Sequence, residues 1–310
     1  MTHLLTFTEI YKERIWGGRN FKRVFGKRLP ENVSIGESWE LADLPENKSV
    51  VDIGPAAGKN IAELVKEWKS KLLGSAGLDG GQFPLLIKFL DANDILSVQV
   101  HPDYESAARL GGSVRAKYEA WYVVDAEKDA YVYVGFKPGI DIDDVNRAVT
   151  EGTLADLLVK LPARKGDLFY IPGGTVHAIG SGLVIAEVQT PSDSTFRLHD
   201  WNRIDVKTAK PRELHIEQAL QCIRFDITSE LPAIAPTFRI TKNIRPTGDS
   251  ISLPVGQPLA WVMIDGAGVM TDGTVSINLK PGKVVLIPAG VAKATADFTS
   301  QSIYLEVTLE

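Results

Sequence analysis

Hydrophobic positions along this chain come mostly in short runs divided by glycine, proline and aspartate. Such runs predict strands over 85–90, 96–100, 121–124, 131–134, 168–171, 183–189, 238–241, 261–264, 284–287 and 302–307. Turn signals such as Phe136-Lys-Pro-Gly139 and Leu279-Lys-Pro-Gly282 separate them. Many short strands with regular turns predict a mainly β protein built of β-sandwich or jelly-roll units. Helical spacing intervenes at 59–74, where Ile61, Leu64, Val65, Trp68 and Leu72 recur, and at 103–110, 141–159 and 211–223. The last of these places Leu214, Ala219, Leu220 and Ile223 on one face and is expected to end the first domain. The following segment, 226–236, is rich in proline, serine and threonine. It is the expected boundary between a unit at 1–225 and a second at 226–310.

The same pattern occurs twice. Gly166-Asp-Leu-Phe-Tyr-Ile-Pro172-Gly-Gly174-Thr-Val-His177 is matched in spacing by Gly282-Lys-Val-Val-Leu-Ile-Pro288-Ala-Gly290-Val-Ala-Lys293. Upstream, Glu119-Ala120-Trp121 parallels Leu259-Ala260-Trp261. One copy therefore carries Glu119 and His177 where its sibling carries Leu259 and Lys293. That is the expected look of a working site beside a structural duplicate, two jelly-roll units with a metal site in the first only.

Composition narrows the function classes. The apolar share of 44% and charged share of 24% are those of an ordinary soluble globular protein. A net charge of −5 gives no encouragement to a nucleic-acid or anionic-membrane partner. A single cysteine, Cys222, excludes an internal disulfide framework and fits a reducing compartment. The first residues lack a signal-peptide pattern, and no apolar run reaches membrane-spanning length. A cytoplasmic location is expected. There is no Walker A loop, no Gly-x-Gly-x-x-Gly after a strand and no Gly-x-Ser-x-Gly elbow.

Candidate chemistry lies in Asp94-Ile-Leu-Ser97-Val-Gln99-Val-His101-Pro102, whose alternation puts Ser97, Gln99 and His101 on one strand face. A jelly roll brings His101, Glu119 and His177 together from three segments, with Gln99 as a fourth donor. Two imidazoles, a carboxylate and an amide oxygen suit Zn²⁺ with open positions, and two histidines with a carboxylate equally suit Fe²⁺. A single strand histidine is more often structural than ligating. The weight rests on both histidines standing at motif positions that the duplicate lacks. Lys117 shares the face of Glu119, while Glu187 and Lys88 each interrupt an apolar run and need partners. Asp193 and Arg197 read equally as an ion pair closing a loop. His3, His199 and His215 have no motif context, and Trp16-Gly-Gly-Arg19 reads as a turn with an aromatic plug.

The run Pro84-Leu-Leu-Ile-Lys-Phe-Leu-Asp-Ala-Asn-Asp-Ile-Leu-Ser-Val-Gln-Val-His-Pro-Asp103 resembles the signature of type I mannose-6-phosphate isomerases, zinc enzymes of the cupin superfamily. Trp16-Gly-Gly, Gly36-Glu-Ser-Trp-Glu40, Lys117-Tyr-Glu119-Ala-Trp-Tyr, Ile171-Pro-Gly-Gly-Thr-Val-His-Ala-Ile179 and Asp200-Trp-Asn-Arg203 extend it over nearly the whole chain, nearest to the short bacterial form. The resemblance implies one zinc ion per chain on Gln99, His101, Glu119 and His177. It implies an essential arginine at Arg197 and an active-site lysine at Lys117, with Glu187 and Asp193 as nearby acids. Ser97 and Lys88 fall where the phosphate is met, and Trp16 and Glu37 line the cleft. Longer relatives have an aspartate before that tryptophan; here it is Ile15, so the phosphate side is expected to differ.

The implied reaction interconverts mannose 6-phosphate and fructose 6-phosphate through an enediolate. Zinc would act as Lewis acid, Glu187 or Lys117 as base, and Arg197 would offset negative charge. The phosphosugar is the only partner expected. Two rivals are an iron-dependent cupin oxygenase and a phosphosugar-binding cupin without turnover.

Overall fold

The computed structural model describes residues 1–205, 208–226 and 237–309, and the fold is mainly β. Two large antiparallel sheets form the first unit. One runs in the order Ile10–Gly18, Ile35–Leu41, Leu86–Ala92, Leu183–Gln189, Glu119–Ala126, Leu168–Ile171. The other runs Phe196–His199, Val98–Val100, His177–Ile179, Tyr131–Phe136, Leu158–Pro162. The second unit has two four-stranded sheets. Their orders are Phe238–Arg245, Ser302–Leu309, Leu259–Asp265, Val284–Ile287 and Ser250–Ser252, Thr295–Phe298, Gly268–Thr271, Ser276–Leu279.

These eight strands correspond one for one, in the same spatial order, to eight strands of the first unit. The first unit adds two strands to one sheet and one to the other. Register is shared as well as order. Ile171 lies opposite Glu119 and Phe169 opposite Trp121, just as Ile287 lies opposite Leu259 and Val285 opposite Trp261. On the other side of that strand Glu187 faces Trp121, and Glu306 faces Trp261. The turn after the proline also recurs, with Thr175 N–H bonding the Pro172 carbonyl and Val291 N–H bonding that of Pro288.

The six-stranded sheet of the first unit packs back to back on the second unit's sheet that contains Leu259–Asp265. Ile87, Phe89, Ala120, Tyr122, Val124, Val184, Ala186 and Val188 share one buried cluster with Ala260, Val262, Leu286, Leu305 and Val307. Strands Leu86–Ala92 and Leu183–Gln189 are buried at every position. Sheets covered on both faces read as continuous apolar runs. In these runs, Lys88 and Glu187 point the other way, toward the interior of the first unit. The chain's start crosses over: Leu5 and Leu286 exchange backbone hydrogen bonds at 2.9 Å, and Leu4 lies within the second unit's core.

Several expected elements differ. The stretch 141–159 is not one helix. A helix at Ile142–Glu151 ends at Gly152 (φ 74°), a single 3₁₀ turn follows, and Leu158–Pro162 is an edge strand. Leu, Val and Leu fall at spacings that either period tolerates, so pairing with Tyr131–Phe136 decides the outcome. The helix expected at 59–74 breaks at Lys69 (φ 47°) into Ile61–Trp68 and Ser70–Leu73. Leu64 and Leu72 nonetheless reach the same core, which hides the break in the pattern. Only Ile216–Cys222 of 211–223 is helical, and Leu214 is exposed. Trp16, Gly17 and Gly18 end a strand rather than form a turn. At Gly17 a Cβ would fall 2.4 Å from the Gly36 nitrogen, so glycine lets the first two strands close up. The expected boundary at 226–236 lies, apart from Asp226, outside the described residues.

Candidate metal centre and active-site cavity

His101 follows strand Val98–Val100, Glu119 opens Glu119–Ala126, and His177 opens His177–Ile179. The Pro172–Thr175 turn aims the second histidine. Gly174 adopts φ 88°, and its N–H bonds the His101 carbonyl at 2.7 Å, so the turn is tied to the other histidine's strand. His177 then pairs with Gln99 across the sheet. All three potential ligand residues are buried, with one ligand atom of each within 4.8 Å of the others.

Hydrogen bonds fix how both rings face. His101 Nδ1 lies 2.9 Å from the Ser194 carbonyl, and His177 Nδ1 lies 2.9 Å from the Thr175 carbonyl. A carbonyl only accepts, so each Nδ1 carries the proton and each Nε2 turns a lone pair toward Glu119. His101 Nε2 is 3.2 Å from Glu119 Oε1, and His177 Nε2 is 3.8 Å from Oε2. Burial, with the charge of Lys117 added, pushes His101 down to about 3, and burial lowers His177 too. Both imidazoles are therefore neutral at neutral pH. Burial alone would raise Glu119, but the charge of Lys117 outweighs it and holds its pKa well below the usual range.

The set fits a small divalent cation. Donors about 2.0–2.1 Å from a tetrahedral zinc stand roughly 3.3 Å apart, close to the spacings around Glu119. Gln99 approaches His177 Nε2 at 3.2 Å through its amide nitrogen, and a half-turn of the amide presents the oxygen instead. Trp121 Nε1 donates to Glu119 Oε2 at 3.1 Å, and Lys117 Nζ lies 2.7 Å from Oε1. These outer contacts orient the carboxylate as supporting groups around metals do.

The cluster borders a cavity of about 500 Å³. Gln99, Glu119, Lys117, Glu187, Lys88 and Ser97 line one part of it. Trp16, Glu37, Asp193 and Arg197 line the rest. Lys88 Nζ lies 3.1 Å from Glu187 Oε1 but off the hydrogen-bonding direction, leaving a coulombic contact. Two carboxyls in the cavity are driven apart. Burial and the charge of Glu119 push Glu187 up to about 8. Burial would likewise raise Glu37, but Lys88 and Arg14 hold it down to about 2. Glu37 accepts from Arg14 Nε at 2.8 Å and from Trp39 Nε1 at 2.6 Å. The expected Asp193–Arg197 ion pair does not form; Arg197 Nη1 donates instead to the Glu213 carbonyl at 3.4 Å.

Arg14, Arg212 and His215 also line the cavity and were not among the expected site residues. Alternation places Arg14 on the face of Trp16, which is a usable signal. Arg212 stands in a polar segment with none. His215, expected to be structural, accepts a hydrogen bond from Arg197 N at 3.3 Å.

A family model described as phosphomannose isomerase type I, catalytic domain, matches residues 4–133. The mannose-6-phosphate isomerase ManA of Bacillus subtilis is 34% identical over 306 residues, covering 94% of this chain and 95% of that protein. The crystal structure of a mannose 6-phosphate isomerase from Bacillus subtilis has a TM-score of 0.86 at 27% identity and covers 99% of both chains. A zinc-bound mannose 6-phosphate isomerase shares the fold, with a TM-score of 0.74 at 16% identity over 100% of each chain.

Proposed function

The chain belongs to the type I phosphomannose isomerase family, and from that premise we propose that it interconverts mannose 6-phosphate and fructose 6-phosphate. One zinc ion per chain would be held by Gln99, His101, Glu119 and His177. The observation that carries this reading is the pair of neutral imidazoles facing one carboxylate beside a cavity lined with proton-exchanging and cationic groups. Two cupin jelly rolls would divide at 226, the first at 1–225 catalytic and the second at 226–310 without metal.

The reaction must remove a weakly acidic proton beside a carbonyl. When bound, zinc supplies Lewis-acid polarisation of that carbonyl. The chain's own groups do the rest. Glu187 or Lys117, both lining the cavity, moves the proton between C2 and C1. Arg197, with no carboxylate partner, offsets the negative charge of the enediolate or the phosphate. Ser97, Lys88, Trp16, Glu37 and Asp193 shape the substrate's place. Glu37, held ionised by Arg14 and Trp39, is a fixed acceptor for sugar hydroxyls. Cys222 is a buried free thiol, in keeping with a cytoplasmic enzyme, and no helix of the described residues is long and apolar enough to cross a membrane.

A coupled assay of fructose 6-phosphate formation, before and after chelation and zinc re-addition, tests the reading. Activity that is lost with chelator and restored by zinc is expected. Fully zinc-loaded protein that binds the phosphosugar without turnover would replace the isomerase with a binding role. Oxygen consumption dependent on iron would replace it with an oxygenase.

A further inference from the structure

The substrate proposed above carries a dianionic phosphate, and its binding groups follow from which cations in the cavity keep donors without a protein partner. Lys88 is buried, and the charges of Glu187, Glu37 and Glu119 all act on it. Arg14 donates to Glu37 through Nε at 2.8 Å and Nη2 at 3.3 Å, and its Nη1 goes to the Glu13 carbonyl at 3.4 Å. Lys117 is paired with Glu119 at 2.7 Å. Arg197 and Arg212 differ. Arg197 makes one side-chain bond, to the Glu213 carbonyl, and its Nε is buried without a partner. Arg212 is gripped on one edge only: Nε and Nη2 donate to Asp200 Oδ2 and Oδ1 at 2.8 and 2.5 Å, and Nη1 has no partner among the described residues.

Local structure sets the two side by side. Segment 212–215 runs along strand Phe196–His199, with His215 N–H bonding the Arg197 carbonyl at 2.8 Å and Arg197 N–H bonding His215 Nδ1. Burial, then the charge of Arg212, weakens the hold of Arg197 on its proton, so the two guanidiniums feel one another. Two guanidiniums lining one cavity, each with donors left over, favour an anion beside them. Asp200 is buried and also accepts from Arg203 Nη2 at 2.5 Å. Arg203 in turn bonds the Ile95 carbonyl, and Trp201 Nε1 bonds the Leu96 carbonyl at 2.7 Å. That frame is anchored on the segment leading to Ser97, Gln99 and His101.

Resting on the isomerase reading, we propose that Arg212, with Arg197, binds the phosphate of the substrate, and that Asp200 is the positioning residue that holds Arg212 in place. The bidentate grip takes the Nε edge of Arg212 and leaves Nη1 for a phosphate oxygen. Lys88, in contrast, has its charge taken up largely by Glu187 and Glu37.

Zinc-loaded wild type, Arg212→Met, Arg212→Lys, Asp200→Asn and Lys88→Met are compared. KM and kcat for mannose 6-phosphate are measured, together with the binding of inorganic phosphate by calorimetric titration. Arg212→Met should raise KM and the phosphate dissociation constant together by about 10- to 100-fold, the range for losing a charge-assisted hydrogen bond, with kcat moved far less. Arg212→Lys should recover part of that loss, and Asp200→Asn should show the same KM-weighted defect more weakly. Lys88→Met should weaken phosphate binding less than Arg212→Met does. Unaltered phosphate affinity in Arg212→Met, or an equal loss in Lys88→Met, overturns the proposal. If Asp200→Asn does not fold, the two Arg212 variants decide. Phosphate titration needs no turnover, so a wild type that binds phosphate through Arg212 but isomerises nothing would refute the isomerase reading alone.

Discussion

The two units share strand order and register, yet solve the burial of their interiors in opposite ways. In the first, Trp121 meets the edge of His177 at 5.3 Å and hands its indole proton to Glu119, so the interior is a polar cluster satisfied link by link. In the second, Trp261 stacks on Tyr304 at 3.9 Å, with Phe298 completing the group, and its indole proton goes to Glu306 on the adjacent strand. Leu259 stands where Glu119 stands, and Lys293, the match of His177 in the repeated motif, is exposed. Residues 237–309 contain no histidine. The common frame therefore carries no chemistry by itself. A few side chains convert a packed core into a cation site.

The largest expected effect comes from His177→Ala, which should lower bound zinc and turnover by more than the roughly 10- to 100-fold that loss of a supporting partner costs. Grafting the polar pair onto the second unit as Leu259→Glu with Lys293→His should install no zinc, because the aromatic stack fills the space. Metal analysis showing a second zinc would break the contrast.

Next in size, Trp261→Ala should cost about 3–5 kcal/mol of stability by opening a cavity, measured by denaturant unfolding. The folded fraction should keep its kcat/KM. Loss of catalysis at temperatures where the variant is fully folded would mean the second unit does more than support.

A smaller effect separates the units by pH. In chelated protein His101 and His177 stay neutral when folded but charge in the unfolded chain near 6.5. The unfolded state thus binds more protons below that pH. Stability falls as pH drops from about 6.5 toward 3, and is regained on raising it. His101→Asn should flatten that slope in a pH series of unfolding curves, whereas no histidine of the second unit can contribute. The smallest effect is that of Lys293→Ala, expected within about 0.5 kcal/mol of wild-type stability and with unchanged turnover.

Much of this was legible because strands buried on both faces read as unbroken apolar runs, in which a lone charge must point somewhere special. Lys88 and Glu187 stood out in that way, and both line the cavity. The repeat, with Leu259 and Lys293 in place of Glu119 and His177, set the first copy apart, and in the fold these two residues lie beside His101. Other parts carry no such signal. Strand Leu158–Pro162 has a pattern that suits helix or strand and is settled only by its neighbour. Arg212 lies in a polar stretch, and its relation to the cavity depends on Asp200, twelve residues earlier. Arg14 was readable only through its shared face with Trp16. Pairing across distant segments creates these features, and pattern within a segment does not report it.

The central claim is that the first unit alone holds the working metal. The most direct test is zinc per chain measured together with mannose 6-phosphate turnover, in wild type and in Glu119→Ala. The account predicts one zinc and activity in wild type, and neither in the variant. Glu119→Ala that retains both a full zinc and turnover would contradict it.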